Sequence, residues 1–370
     1  MIKMDNNHKA FLSLVKAGLW EQEIRLLPFG NVDYEEVMRL AEEQAVVGLV
    51  TSGLEHVVDV KVPQDWVLQL VGMTLQIEQQ NKDMNVFVAQ LIEQLRKEDV
   101  YALLLKGQGI AQCYEKPLWR SSGDVDLFLS YDNYQKAKSF LTTMASITDE
   151  EHNYNCHLAM TIDSWEVELH GNLYCGLWKS VDNTLDEIQD AVFYGGNIRF
   201  WMNGNTVVFL PRPDEDIVYV FAHILQHFFK EGIGLRQICD WCRLVWTFNS
   251  TIDHKLLAKR LKKMGVLSEW MAFAALAVNW LGMPKDSIPF FSNEEKWSKK
   301  ANKLLLYIFE SGNFGHNKDY SHNENSHFLV RKVVSLGRHA RDIIKFFAVF
   351  PLDSLKVWRR VIVEGIKEVL

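Results

Sequence analysis

The sequence holds little that would cross-link or anchor it. Among 370 residues there are 8 prolines and 5 cysteines. The cysteines, at 113, 156, 175, 239 and 242, are odd in number and scattered without a framework pattern. That excludes a disulfide framework and fits thiols kept reduced. No apolar run approaches the roughly 20 residues of a membrane-spanning helix. The opening MIKMDNNHKAFLSLVKAGLWEQE has no apolar core for a signal peptide. A cytoplasmic location without a transmembrane segment is expected. Positive charge is not in excess: 40 Lys and Arg against 47 Asp and Glu give a net charge of -7. Overall charge therefore does not indicate nucleic-acid binding, although a local basic groove stays open. Internal repeats and low-complexity tracts are also absent, which excludes a solenoid.

What the chain has is apolar bulk. It is 48% hydrophobic, with 12 Trp and 21 Phe, enough for a large core. Its length exceeds what one compact core usually holds. Residues 8–95 read as helices. Val37, Leu40, Ala41, Ala45 and Val46 recur at helical spacing, behind Asp33 as an N-cap. Residues 65–97 contain no proline and one glycine, so they form one long helix or two end to end.

The texture changes near residue 100. YALLL (101–105) and VDLFL (125–129) are short apolar runs that suit buried strands. Residues 107–114 and 131–144 read as helices. Residues 157–162 and 165–173 read as strands around an Asp163-Ser164 turn, and Asn203-Gly204-Asn205 marks a second hairpin. From 211 the pattern is helical again, with Pro213 and three acidic residues opening a helix. The polar stretch 312–326 reads as an exposed loop, and 331–370 as helix interrupted at Pro351. On the last helix Leu355, Trp358, Val361, Ile362 and Ile366 are expected to face the core or another subunit. The expected fold class is α+β. A small mixed-sheet core at 98–210 would be flanked by N- and C-terminal helical regions at 1–97 and 211–370.

The chemistry concentrates in LLLKGQGIAQCYEKPLWRSSGDVDLFL (103–129). Asp124 and Asp126 are two apart at a strand entrance, so both carboxylates share a face. Such a pair repels itself unless a cation sits between, and Mg²⁺ takes hard oxygen ligands. Lys106-Gly107-Gln108-Gly109 stands between a strand and a helix. Small residues there let backbone N–H groups approach phosphate, with Lys106 and Arg120 adding charge. Gly123 lets the chain come close just before Asp124. In WEVELH, Glu166, Glu168 and His170 alternate onto one strand face. Glu168, between Val167 and Leu169, is the best third carboxylate.

The pattern LLKGxxxAxxY…P…R…GDxDLxL, followed by ELH and then HxxxH…LRxxxD, resembles an uncharacterised bacterial nucleotidyltransferase family. That family belongs to the DNA polymerase β-type nucleotidyltransferase superfamily. The resemblance implies Mg²⁺ (or Mn²⁺), a nucleoside triphosphate donor and nucleotidyl transfer to an acceptor that the residues do not identify. It implies that Asp124, Asp126 and Glu168 are the metal-binding catalytic carboxylates, with Glu168 also activating the acceptor. Lys106, Gly107, Gln108, Gly109, Arg120 and Gly123 would hold the nucleotide. His170, His223, His227, Arg236 and Asp240 would wall the cleft.

Ordinary alternatives stand beside these readings. Asp-x-Asp alone is common on solvated strand ends. Arg236 and Asp240, four apart, suit an intrahelical ion pair. His223 and His227 with Cys239 and Cys242 suit packed helices better than a zinc site. A catalytically silent module that keeps the fold to bind a nucleotide or a protein is the main alternative in function.

Overall fold

A computed structural model of the chain describes residues 4–151, 156–313 and 345–367. Most of the loop expected over 312–326 and of the helix expected from 331 lies outside these residues, as do the side chains of Val361, Ile362 and Ile366.

Four helices open the chain: α1 (Asn6–Trp20), α2 (Tyr34–Glu43), α3 (Val47–Leu54) and α4 (Gln64–Lys97). Asp33 caps α2 as expected, its side chain accepting from the amides of Glu35 and Glu36. The uninterrupted stretch after Pro63 makes one helix of 34 residues. At 1.5 Å per residue it spans about 51 Å. That length lets it serve two cores. Trp66 and Leu70 enter the helical core, whereas Met84, Val88, Leu91 and Leu95 pack beneath the sheet. Val71 and Leu75, apolar residues of the same helix, are exposed.

The sheet elements follow: β1 (Leu103–Leu105), α5 (Gly107–Ala111), β2 (Val125–Phe128), α6 (Tyr131–Leu141), β3 (Ile147–Thr148), β4 (His157–Ile162), β5 (Trp165–His170), α7 (Lys179–Phe193), β6 (Ile198–Asn203) and β7 (Thr206–Pro211). The strands are ordered β3-β4-β5-β2-β1-β7-β6. β2 runs parallel to β5, and β1 parallel to β7; the remaining neighbours are antiparallel. The sheet is therefore mixed, as expected for an α+β chain. Asp163 and Ser164 both take positive φ in the β4–β5 turn, and Gly204 does so in the β6–β7 turn.

Strand alternation sorts side chains between the two faces. Leu104, Val125, Leu127, Val167 and Leu169 point to the core shared with α4 and α6. Leu103, Leu105 and Phe128 point to the larger helical core. That core is built with α8 (Pro213–Lys230), α9 (Leu235–Phe248), α10 (His254–Met264), α11 (Leu267–Leu281) and α12 (Glu295–Ser311). A last helix, α13, runs from Pro351 to Lys367. Residues 345–347 are helical and 348–350 are not, so the helix is interrupted just before Pro351, as expected, and Pro351 opens the next one. Leu355 is exposed on α13, while Val357 is buried, so the expected apolar face is displaced.

Asn81, fully buried in mid-α4, ties the helix to the turn at Pro117–Trp119. Its amide donates to the carbonyls of Leu118 and Arg120, each at 2.7 Å. Gly48 on α3 touches the other side of this turn. A β-carbon there would sit 1.9 Å from the Trp119 carbonyl oxygen, so no larger residue fits without a shift.

Candidate active site

The parallel pairing of β2 with β5 sets Asp126 opposite Glu168. Their neighbours Val125, Leu127, Val167 and Leu169 turn into the α4 core, so both carboxylates face the other way, toward α8 and α9. Asp124 stands just before β2. One oxygen from each of Asp124, Asp126 and Glu168 lies within 4.8 Å of the others. They sit in a polar cavity of about 390 Å³.

Lys106 leaves β1 with φ 48° and ψ −138°. That region is open to glycine and strained by roughly 1–3 kcal/mol for other residues. The strained backbone carries the ammonium to 2.9 Å from Asp126 Oδ1. The same ammonium donates to His223 Nε2 at 3.1 Å. Gly107, also at positive φ, lines the cavity behind it.

Two imidazoles complete the floor. His170 Nε2 donates to Asp126 Oδ1 at 2.8 Å. It also lies 3.3 Å from Glu168 Oε2, and His157 Nε2 donates to that same oxygen at 3.1 Å. Register explains this, because His157 on β4 is paired with His170 on β5. His157 was not singled out from the sequence. The signal was present: the two-residue Asp163-Ser164 turn between the expected strands fixes the register that sets His157 opposite His170.

Electrostatics divides the three acids. The Asp126 charge, and then burial, push Asp124 above the usual carboxylate range. Burial would do the same to Asp126, but the Lys106 ammonium and the His170 hydrogen bond outweigh it and hold Asp126 low. Burial also opposes ionisation of Glu168, yet hydrogen bonds from His157 and His170 hold it well below its ordinary value. His170 would lose its proton on burial alone, but its bonds to Asp126 and Glu168 raise it. Burial and the Lys106 charge push His223 far down, which suits its role as acceptor from Lys106.

The wall comes from α8 and α9. His223 and His227 line the cavity, while Phe221, Leu225, Phe228 and Phe229 of the same helix point into the core. Asp240 accepts from Arg120 through both oxygens, Nε at 2.8 Å and Nη2 at 2.8 Å. Tyr114 donates to Asp240 as well, at 2.8 Å. The ion pair of Asp240 is thus with a residue 120 positions away, not with Arg236 four positions back. Arg236 instead donates to the carbonyls of Ser121 and Ser122. It fixes the strand-entry loop that ends at Asp124.

Two expected placements are corrected. Gln108 is buried away from the cavity, its amide donating to Asn81 Oδ1 at 2.6 Å. Gly109 is needed for packing: a β-carbon would lie 2.7 Å from Leu210 Cδ2. Gly123 lines the cavity just before Asp124, as expected, and a β-carbon there would make only an ordinary contact with Arg236 Nη1, at 3.9 Å. The helix after Lys106 is also shorter than expected, 5 residues, too short to present a strong dipole. Cys239 and Cys242 are fully buried in the helical core, and among the described residues no metal-spaced group includes them.

The donor set fits a hard cation. Three carboxylate oxygens converge, and the Asp124–Asp126 repulsion is what a cation between them would relieve. No helix among the described residues is long and apolar enough to cross a membrane.

Residues 30–282 match the sequence profile of a family described as uncharacterised nucleotidyltransferase. No curated protein and no solved structure matches the chain.

Proposed function

The chain belongs to this family of uncharacterised nucleotidyltransferases, and on that premise we propose that it moves a nucleoside monophosphate from a nucleoside triphosphate to an acceptor. Mg²⁺ or Mn²⁺ would be held by Asp124, Asp126 and Glu168. One observation carries this reading: the three carboxylates converge on the floor of a cavity that also holds the Lys106 ammonium. When bound, the divalent ion supplies charge neutralisation at phosphate oxygens.

The residues divide the remaining work. Lys106, held by its strained backbone, presents a fixed cation to the phosphates. Arg236 and the Arg120–Asp240 pair hold the loop carrying Asp124, so the carboxylates need little reorganisation. The acceptor oxygen forms a bond to the α-phosphorus and gives its proton to solvent, the bond from the α-phosphorus to the α–β bridging oxygen breaks, and pyrophosphate leaves. Glu168 Oε2 already accepts from two imidazoles, which favours a ligand role over proton abstraction. In this reading residues 98–210 form the transferase core, walled by helical regions at 1–97 and 211–370. None of the five cysteines, all among the described residues, is in a disulfide, which suits the cytoplasm.

A second reading has its own support. Lys106 and His170 already compensate the buried Asp126 charge without any ion. A silent module that binds a nucleotide or a protein partner would be stable in that form. Transfer of label from α-phosphate-labelled nucleoside triphosphates onto cell extract separates the two. Mg²⁺-dependent labelling lost in Asp124→Ala supports the transferase; nucleotide binding without any labelling supports the silent module.

A further inference from the structure

Beside the oxygen-only set lies a group of different chemistry. His157, Glu168 and His170 each offer a ligand atom within 4.8 Å of the others. His157 Nε2 lies 3.1 Å from Glu168 Oε2, and His170 Nε2, which also bonds Asp126 Oδ1 at 2.8 Å, lies 3.3 Å from the same oxygen. Ligand atoms bound tetrahedrally at roughly 2.0–2.2 Å from an ion stand about 3.3 Å apart. The two measured edges match that spacing. Three protein ligands would leave one position open, and all three residues line the cavity. The outer side of the group is partly accessible, with the His157 side chain 26% exposed.

We propose that His157, Glu168 and His170 form a second cation site, selective for a divalent transition ion such as Zn²⁺ over Mg²⁺. Imidazole nitrogen is a good ligand for late first-row ions and a poor one for Mg²⁺, which demands oxygen and octahedral geometry. Glu168 belongs to both sets, so its carboxylate would bridge two unlike ions. The open position faces the cavity and would take an oxygen of the acceptor or of a phosphate. Binding here shares Glu168 with the proposed Mg²⁺ set but requires neither nucleotide nor turnover.

The test is equilibrium dialysis of the chelator-treated full chain against Zn²⁺, with Mg²⁺ in large excess. Co²⁺ serves as the spectroscopic probe. Wild type should retain Zn²⁺ despite the Mg²⁺, and Co²⁺ should give visible bands of low-coordinate N/O ligation. His157→Gln should weaken Zn²⁺ by at least about tenfold, since loss of an indirect partner alone costs that much. His157→Gln/His170→Gln should lose one Zn²⁺ per chain and the Co²⁺ bands. His157 is part-exposed, so His157→Gln leaves no core cavity, and the variant should still unfold in a single cooperative transition in chelator, at a midpoint lowered at most by loss of the Glu168 hydrogen bond. Equal Zn²⁺ retention by wild type and the double variant would overturn the site, as would displacement of all Zn²⁺ by Mg²⁺. Neither result bears on the transferase reading, which is read from nucleotide and Mg²⁺ alone.

Discussion

Replacing Lys106 with Met removes a charge and keeps most of the side-chain volume, leaving Asp126 buried. The ammonium lies 2.9 Å from Asp126 Oδ1, and the Asp126 side chain is 1% exposed. Two unit charges at that distance interact by about 6 kcal/mol at an effective dielectric of about 20. Breaking a buried pair by removing one partner usually costs about 3–5 kcal/mol. His170 remains on the same oxygen, so the lower end, about 3 kcal/mol, is expected. Adding Asp126→Asn removes the stranded charge and should bring stability back to within about 1 kcal/mol of wild type. Mg²⁺ supplies the missing positive charge in another way. Lys106→Met should therefore gain more from Mg²⁺ than wild type does, up to about 2.7 kcal/mol at a hundredfold excess over Kd. Urea unfolding followed by tryptophan fluorescence, in chelator and in Mg²⁺, reads all three proteins. A single variant within 1 kcal/mol of wild type would refute the reasoning. So would a double variant as unstable as the single one.

The other predictions concern packing and pH. Gly48→Ala forces α3 against the Trp119 carbonyl and should destabilise by about 2–3 kcal/mol in urea. Gly72→Ala on exposed α4 meets nothing within 4 Å and should stabilise by about 0.5–1 kcal/mol; the opposite order in the two unfolding midpoints would contradict the packing account. Glu269 is fully buried, and burial together with Asp353 holds its folded pKa well above the unfolded value of 4.5. Its contribution to stability is thus complete below 4.5 and is lost as pH rises through the folded value. Glu269→Gln should flatten that loss and make the protein more stable than wild type at pH 8, by thermal unfolding; a variant with the same alkaline slope would count against it.

Much of the fold was legible because local chemistry agreed with the tertiary outcome. Asp33 capped the helix that its position suggested, and alternation placed Glu168 and His170 together on one face. The elements that escaped had weak local signals. α7 carries Val181, Leu185, Ile188 and Val192 at helical spacing, but Trp178 before it makes no capping bond. β3 is two exposed residues, held only by pairing with β4. The long-range partners were out of reach of spacing arguments. Arg120 reaches Asp240 across 120 positions, whereas the nearer Arg236 looked the natural partner. Gly109 read as a phosphate contact because it follows Lys106 and Gly107, and only the β1–β7 pairing reveals Leu210 behind it. His157, by contrast, joined the site through the register that the two-residue Asp163-Ser164 turn fixes, a legible signal that points to His157 once Glu168 and His170 are placed in the site.

The central claim is that Asp124, Asp126 and Glu168 hold a divalent ion together with a nucleoside triphosphate. Thermal unfolding with each common nucleoside triphosphate, with and without millimolar Mg²⁺, tests it most directly, since a ligand of the native state alone must raise stability. At least one triphosphate should raise the wild-type midpoint only when Mg²⁺ is present. Asp126→Asn strands the buried Lys106 charge that Asp126 pairs, so it should be less stable than wild type in metal-free buffer, and it should lose most of that rise. No Mg²⁺-dependent rise in wild type, or an equal rise in Asp126→Asn, would contradict the claim.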